Sequence, residues 1–444
     1  MITHKKAKTD TIVALASGTG KAGVGVIRIS GSLCKSIAKK LIHKIPTPRV
    51  AQFSVFKNEK GQILDKGLVL YFPAPHSFTG EDVLECQVHG SPIIIQLIIQ
   101  YIVSLGARIA HPGEFSERAF HNNKMDLVQA EAIADLIQAS TEKAAFAALQ
   151  SLEGKFSEKI NTLNKDIIYL RSYIEAAIDF SEEEIDFLSD NKIQTHINDI
   201  ISQLNLILHQ AKQGAILQSG MTVVIAGLPN AGKSSLLNQL SQRDSAIVTH
   251  IPGTTRDILR ENINIDGMPL QIIDTAGLRE TKDIIEEEGI KRAKQAIKKA
   301  DKILYLMDVN SPDQNYKNFD QDKLILIYNK IDQSNIKPHI KNNQIYLSAK
   351  TSDGVELLKN YLKHQAGLND NTENLFSART RHIDGLKKAL EHLAHGLNEL
   401  KEHQSLECAA ENLRLAHITL GEITGEFTTE DLLGVIFSSF CVGK

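Results

Sequence analysis

The apolar pattern changes period several times along the chain, and those changes outline its organisation. Over residues 1 to about 120, short apolar runs at 11–15, 24–30, 67–72 and 83–88 read as strands and 93–105 reads as a helix. That mixture predicts a compact α+β domain. From about 127 to 218 apolar residues recur at helical spacing with few prolines or glycines, and the same texture returns from 379 to 440. Between the two helical blocks lie continuous apolar runs of strand length at 221–226 (MTVVIA), 270–273, 324–328 (LILIY) and 345–347, the pattern of strands buried on both faces. Insertions enter through loops whose ends lie close, so the simplest architecture is one helical domain interrupted by an inserted α/β domain. The polar stretch 367–373 (GLNDNTE) reads as the return linker. The heptad spacing of a coiled interaction arm is not sustained, which favours a bundle.

The inserted block carries the most specific chemistry. Gly227-Leu228-Pro229-Asn230-Ala231-Gly232-Lys233-Ser234 fills the complete phosphate-loop pattern between the 221–226 strand and a helix opening at Ser235. There the glycines admit close backbone approach, Lys233 reaches the β- and γ-phosphates, and the Ser234 hydroxyl suits magnesium. Asp274-Thr275-Ala276-Gly277 follows the 270–273 run, placing Asp274 near the metal and the Gly277 amide near the γ-phosphate. Asn329-Lys330-Ile331-Asp332 closes the 324–328 run; the Asp332 carboxylate accepts from N1–H and the exocyclic amine of guanine, donors that adenine lacks there. Ser348-Ala349-Lys350 supplies a companion loop to the base, and Gly253-Thr254-Thr255-Arg256-Asp257 a switch loop with Thr255 as second hydroxyl on magnesium. Singly, Asp-Thr-Ala-Gly or Ser-Ala-Lys is more often an ordinary turn. Five motifs in this order predict GTP binding.

The hydrolytic machinery is less legible. Leu278 stands where Ras-type GTPases carry the glutamine that orients the attacking water. One of Glu286, Glu287 and Glu288 in the carboxylate-rich 279–289 segment can hold that water, although a solvated helix start accounts for most of those charges, and spacing does not choose among the three. No arginine finger is obvious, although Arg256 lies in the switch loop. Asn230 offers a side-chain carbonyl beside the phosphates, which suits a monovalent cation that neutralises developing charge.

Composition bounds the rest. At 444 residues there is room for about three domains, of which the inserted one is only the middle. Fifty basic and 53 acidic residues give a net charge of −3, so no global field attracts nucleic acid and any RNA contact must be local. Cys34, Cys86, Cys408 and Cys441 form no metal-spaced pairs, which fits a reduced cytosolic protein. The run 93–103 (IIIQLIIQYIV) is too short and interrupted to span a bilayer and no cleavable signal precedes it, so it reads as a buried helix. Ser17-Gly18-Thr19-Gly20-Lys21 imitates a phosphate loop, but its spacing is wrong and the following Ala22-Gly23-Val24-Gly25 opens a helix poorly; it reads as a glycine loop.

Taken with further motifs, the chain resembles the MnmE (TrmE) family of tRNA modification GTPases from end to end. The carrying residues are Gly23-Val24-Gly25-Val26-Ile27-Arg28-Ile29-Ser30-Gly31, Ser77-Phe78-Thr79-Gly80-Glu81-Asp82, the 113–120 run GEFSERAF, Lys124-Met125-Asp126-Leu127, Gln129-Ala130-Glu131-Ala132-Ile133 and the terminal Cys441-Val442-Gly443-Lys444. The resemblance implies a multidomain α/β plus α protein: an N-terminal α+β dimerisation and formyl-tetrahydrofolate-binding domain (1–121), a helical bundle domain in two parts (122–218 and 376–444), and an inserted Ras-like P-loop GTPase domain (219–375). It implies a homodimer working in the cytoplasm with an FAD-dependent partner, MnmG or GidA, as a heterotetramer on tRNA, adding a (carboxymethyl)aminomethyl group to C5 of the wobble uridine. A ribosome-assembly GTPase is the competing reading; such relatives share the GTPase motifs but not the N-terminal and C-terminal ones.

Carried over residue by residue, the GTP contacts are Asn230 to Ser235 (Asn230, Ala231, Gly232, Lys233, Ser234, Ser235), Thr249, His250, Ile251, Pro252, Gly253, Thr254, Thr255, Asp274, Thr275, Ala276, Gly277, Asn329, Lys330, Asp332, Ser348, Ala349 and Lys350. Magnesium falls to Ser234 and Thr255, and potassium to Asn230, Thr249, Ile251 and Thr254. Glu286 matches the family's water-positioning glutamate. Arg28, Glu85, Lys124 and Lys444 match positions near the folate, where the cations suit its carboxylates and Glu85 its pterin donors. Taken alone, each of these charges would read as a surface ion pair. His250 and Pro252 depart from the family's Asp and small residue in the potassium loop, and the glycine loop at 17–21 lacks the usual paired prolines. Cys441 has no histidine motif beside it, so a covalent role is not favoured.

Overall fold

The computed structural model describes residues 10–179, 192–241, 260–274, 297–298, 300–367 and 375–443. It forms two compact units, Met1–Ala134 with His417–Lys444, and Asp135–Ala416. In the first, β1 (Ile12–Leu15), β2 (Ala22–Ser30), α1 (Cys34–Ile42), β3 (Gln52–Lys57), β4 (Ile63–Phe72), β5 (Val83–Gly90), α2 (Pro92–Ser104), β6 (Arg108–Ile109), α3 (Glu114–His121) and the start of α4 (Leu127–Gln138) follow one another. The strands form a six-stranded sheet ordered β3-β4-β5-β2-β1-β6. Alternation decides its faces: Ile27, Ile29, Leu84, Cys86 and Val88 turn toward Ile37 and Leu41 of α1 and Ile95, Ile98 and Ile102 of α2, while Arg28 and Glu85 point the other way. Pro92 at the first helical position starts α2 without losing a hydrogen bond.

The strand runs at 11–15, 24–30, 67–72 and 83–88 correspond to β1, β2, β4 and β5. Two differences stand out. β2 opens at Ala22, two residues before the run expected at 24–30, because an antiparallel partner in β5 supplies the ladder that Gly23 cannot favour locally. The 93–105 helix is buried on one face only: Ile93 is 70% exposed and Leu97 43%. Among the described residues no helix is long and apolar enough to cross a membrane.

In the second unit, α5 (Glu142–Leu152), α6 (Lys155–Asp179) and α7 (Lys192–Ser219) lead into β7 (Met221–Gly227) and α8 (Lys233–Ser241). Then come β8 (Arg260–Ile265), β9 (Met268–Asp274), β10 (Lys302–Asp308), β11 (Leu324–Asn329), β12 (His339–Lys341), β13 (Gln344–Tyr346), α9 (Val355–Gln365), α10 (Thr380–Asn398) and the start of α11 (Leu406–Thr424); the end of α11 from His417 and α12 (Glu430–Ser438) belong to the first unit. The long helices bury apolar residues at three- and four-residue spacing, as with Phe156, Ile160, Leu163, Ile167, Leu170 and Ile174 of α6. The second sheet runs β12-β13-β11-β10-β7-β9-β8. Its central strands β9, β7, β10, β11 and β13 are parallel, and β7 is buried almost throughout because both faces are covered. Only Gly220 separates α7 from β7, and residues 375–379 return from this sheet to α10.

Candidate nucleotide-binding site

Parallel α/β sheets bind ligands beyond the carboxyl ends of their strands, and the sites predicted from the sequence converge there. The turn after β7, the Asn329–Asp332 turn after β11 and the Ser348–Lys350 turn after β13 surround a cavity of about 610 Å³, the size of a nucleotide site. Asn230, Gly232, Lys233, Ser234, Ser235, Asn329, Lys330, Asp332, Ser348, Ala349 and Lys350 line it. Ala231 is buried behind the wall and acts through its carbonyl.

The phosphate loop needs its glycines. Gly227 has φ +140°, and a Cβ there would stand 2.2 Å from the Leu306 carbonyl oxygen of β10. Gly232 has φ +100°, and a Cβ would stand 2.2 Å from Nδ2 of Asn329. Asn230 takes the left-handed conformation with φ 63°, a region asparagine tolerates. Lys233 folds over the loop, its Nζ donating to the carbonyls of Gly227 at 2.8 Å and Leu228 at 2.9 Å, so its charge already faces the turn. α8 begins at Lys233, and its N-terminal amides add to the anion-attracting field.

Asn329 joins the three turns. Its Nδ2 donates to the Ala231 carbonyl at 2.8 Å, and its Oδ1 accepts from the Ala349 amide at 2.9 Å. The Ser348 hydroxyl donates to Asp332 Oδ1 at 2.6 Å and accepts from the Thr351 amide, which orients the carboxylate. Lys330 sits at φ 69°, with Nζ donating to Asp308 Oδ2 at 2.9 Å. The Lys330 ammonium, with the Asn310 amide beside it, holds the Asp308 carboxyl below its ordinary pKa. Sequence reasoning left out Asp308, at the end of β10, and Gln333, which lines the cavity next to Asp332. Neither belongs to a motif; only the pairing of β10 with β11, Asp308 opposite Asn329, brings Asp308 to the site.

Asp274 closes β9 opposite Ile225 of β7, so its backbone stands at the phosphate end of the sheet. Thr249, His250, Ile251, Pro252, Gly253, Thr254, Thr255, Thr275, Ala276, Gly277, Glu286 and Lys444 lie outside the described residues.

In the first unit Arg28 and Glu85 face each other across β2 and β5, Nε donating to Oε1 at 2.8 Å, and the guanidinium lies over Phe78 at 5.3 Å and Phe115 at 5.8 Å. Lys124 donates to the Pro75 carbonyl at 2.9 Å. The C-terminal run reaches the same unit: Val442 bridges Pro112, and the Gly113 amide donates to the Cys441 carbonyl. Beneath them Arg118, buried, binds Asp10, Glu81 and Glu114, while Arg108 binds Asp10 and Glu114. Burial would raise the Glu114 carboxyl, but Arg108, the His111 amide and Arg118 outweigh it and hold the pKa down at about 2.

Comparison with known proteins agrees with this layout. Residues 11–124 match the family model of the GTP-binding protein TrmE N-terminus, and 127–441 that of the MnmE helical domain. A tRNA modification GTPase MnmE of Legionella pneumophila (strain Corby) is 53% identical over 444 residues, covering 98% of this chain and 99% of the relative. Its Vibrio cholerae counterpart (strain ATCC 39541) is 53% identical over 452 residues, covering 98% and 100%. The crystal structure of the G domain of the T. maritima FeoB iron transporter is 25% identical and covers 33% of this chain and 98% of that one, at a TM-score of 0.25 too low to carry an argument. Matches that run from the N-terminal sheet through the nucleotide site to the last helix leave one conclusion: the chain belongs to the MnmE family of tRNA modification GTPases.

Proposed function

We propose that the chain hydrolyses GTP to drive tRNA modification in the cytoplasm, adding with an FAD-dependent MnmG partner a (carboxymethyl)aminomethyl group to C5 of the wobble uridine of certain tRNAs. The observation that carries the GTP reading is the Asn329 lock, which fixes the phosphate turn and the base-selecting turns around one cavity. Asp332, oriented by Ser348, reads the guanine edge, and Lys233 and the α8 amides meet the phosphates. The Ser234 hydroxyl lines the cavity and fits magnesium, with Thr255 as its companion; the Asn230 carbonyl fits potassium, with Thr249, Ile251 and Thr254. When bound, the two cations neutralise charge developing on the transferred phosphoryl group. Glu286 positions the attacking water in place of the glutamine that Leu278 replaces.

The Arg28–Glu85 pair above two aromatic rings, with Lys124 and the C-terminal run in the same unit, supports a site for the charged, flat formyl-tetrahydrofolate, completed by Lys444. The chain acts as a homodimer through 1–121, with the helical domain at 122–218 and 376–444 around a GTPase domain at 219–375. The N-terminal match favours this reading over ribosome assembly, which does not require that unit.

Glu286→Ala tests it. GTP affinity should hold while turnover falls by about 10² or more, the cost of losing a water-positioning group, whereas Glu287→Ala and Glu288→Ala should do little because consecutive side chains point in different directions. Nucleoside analysis of tRNA from cells carrying Glu286→Ala should show the wobble uridine undermodified with normal ribosomal subunit profiles. A variant that hydrolyses GTP at the wild-type rate removes Glu286 from the mechanism.

A further inference from the structure

The stretch from the end of α4 to the start of α5 makes two sets of contacts that the nucleotide site does not use, one with the chain crossings and one with the GTPase fold. At one, the buried Asp135 of α4 holds both chain crossings: Gln218, near the end of α7 where the chain enters β7, donates to Oδ1 at 3.3 Å, and Arg379, where the chain returns to α10, donates to Oδ1 at 2.6 Å. Ser377 in the return segment donates to Oδ2 at 3.1 Å. That segment is fastened further by the Ser377 amide on the Ala147 carbonyl and by Phe376 stacked on Phe156 at 4.3 Å.

At the other, the Thr141 hydroxyl donates to the Gly267 carbonyl at 2.9 Å while accepting from the Ala144 amide as the N-cap of α5. Gly267 is in the turn of the β8–β9 hairpin, braced by Asn264 and covered by the Lys143 stem, and Ala147 shares one core with Ile263, Ile265 and Met268 of the hairpin.

The hairpin is a two-stranded ladder paired from Arg260↔Ile273 to Ile265↔Met268, so its turn and its base move as one body. β8 is the edge strand, with β9 as its one partner among the described residues, so fewer ladder bonds hold it than hold the central strands. In sequence the base runs directly into the two segments read above as γ-phosphate and magnesium contacts, one before Arg260 and one after Asp274. A displacement at the phosphate end therefore arrives at the Asp266–Gly267 turn, which Lys363 of α9 holds from within the GTPase fold through Asp266 and which the Thr141 hydroxyl meets from the helical segments, while the crossings stay fastened by Asp135.

We propose that the Thr141–Gly267 hydrogen bond is the joint that passes the nucleotide state of the GTPase fold to the helical segments, with Asp135 as its fixed point. The proposal rests on the GTPase reading. Thr141 is a positioning residue, acting through the hairpin and touching no nucleotide. Coupling is reciprocal: if the bound nucleotide alters this joint, loss of the joint alters the preference between nucleotides by the same factor. For one hydrogen bond of ordinary net strength that factor is about fivefold.

The test measures, on the full chain, the ratio of dissociation constants for GDP and a non-hydrolysable GTP analogue. Thr141→Val removes donor and cap, Thr141→Asp keeps a capping acceptor but has no donor, and Thr141→Ser keeps both. Val and Asp should shift the ratio about fivefold while Ser stays within twofold of wild type; loss of the cap alone would move Val and leave Asp unchanged. In the wild type, amide exchange over 139–147 should differ between the two nucleotides. An Asp variant with an unshifted ratio, or identical wild-type exchange in both states, overturns the joint. Failure of the wild type to bind either nucleotide instead refutes the GTPase reading.

Discussion

Replacing Asn329 by alanine should weaken guanine nucleotide binding far more than the loss of a wall residue would. The side chain is 2% exposed and makes no substitute contact available to water: its amide group holds the Ala231 carbonyl and its carbonyl holds the Ala349 amide. Two hydrogen bonds contribute about 0.5–1.5 kcal/mol each, and a donor and an acceptor left unpaired in buried turns cost about 1–3 kcal/mol apiece where water does not reach them. Bound nucleotide and solvent recover part of that, so a loss of about 2–4 kcal/mol is reasonable, corresponding to about 30- to 700-fold in affinity. Asn329→Asp keeps the acceptor for Ala349 but turns a carboxylate toward the Ala231 carbonyl, and it should lose at least about tenfold. The chain contains no tryptophan, so equilibrium titration with a fluorescently labelled GDP reads the binding against a dark protein. A dissociation constant within threefold of wild type for Asn329→Ala, in a protein with an unchanged melting temperature, would show that the three turns are held by something else.

Asp332→Asn should relax selection from guanosine toward xanthosine nucleotides, because the new amide donates where the carboxylate accepted; unchanged GTP affinity in competition binding counts against the assignment. GTPase rate should rise from sodium to potassium buffer, by up to the 10³ to 10⁵ order of an arginine finger, and Asn230→Ala should erase the difference; equal rates in both salts remove the cation site. Glu114, with its pKa lowered from 4.5 to about 2, contributes stability that is complete above about 4.5 and is lost as pH falls through 2. Glu114→Gln should therefore flatten the stability-versus-pH slope in that window by up to about 1.4 kcal/mol per pH unit, measured by denaturation followed by circular dichroism; an unchanged slope means the carboxylate is not titrating there.

The motifs were legible because they are local. A phosphate loop needs a strand, a turn with glycines and a helix start within about fifteen residues, and the sequence writes all of it between Met221 and Ser241. The same holds for Asn329 to Asp332 and Ser348 to Lys350, each a short turn at the end of an apolar run. β6 was not legible because it depends on distant partners: two residues at Arg108–Ile109 become a strand only beside Ile12 and Val13. β2 extends back through Gly23 to Ala22 for the same reason, its ladder coming from β5. α1 does carry a local signal, Cys34, Ile37, Ala38, Leu41 and Ile42 at helical spacing, over only nine residues.

By itself the sequence determined that there is a GTP site built on a phosphate loop and that helical blocks flank it in the chain, since each follows from chain-local geometry and periodicity. Tertiary structure alone decided how the pieces act on one another. Asn329 binds residues about a hundred positions before it and twenty after it, Asp308 reaches Lys330 through strand pairing, and Asp135 gathers Gln218, Ser377 and Arg379 from both ends of the inserted block. Such contacts leave no period or spacing in the sequence, because the loop between the partners is free to take any length as long as folding closes it.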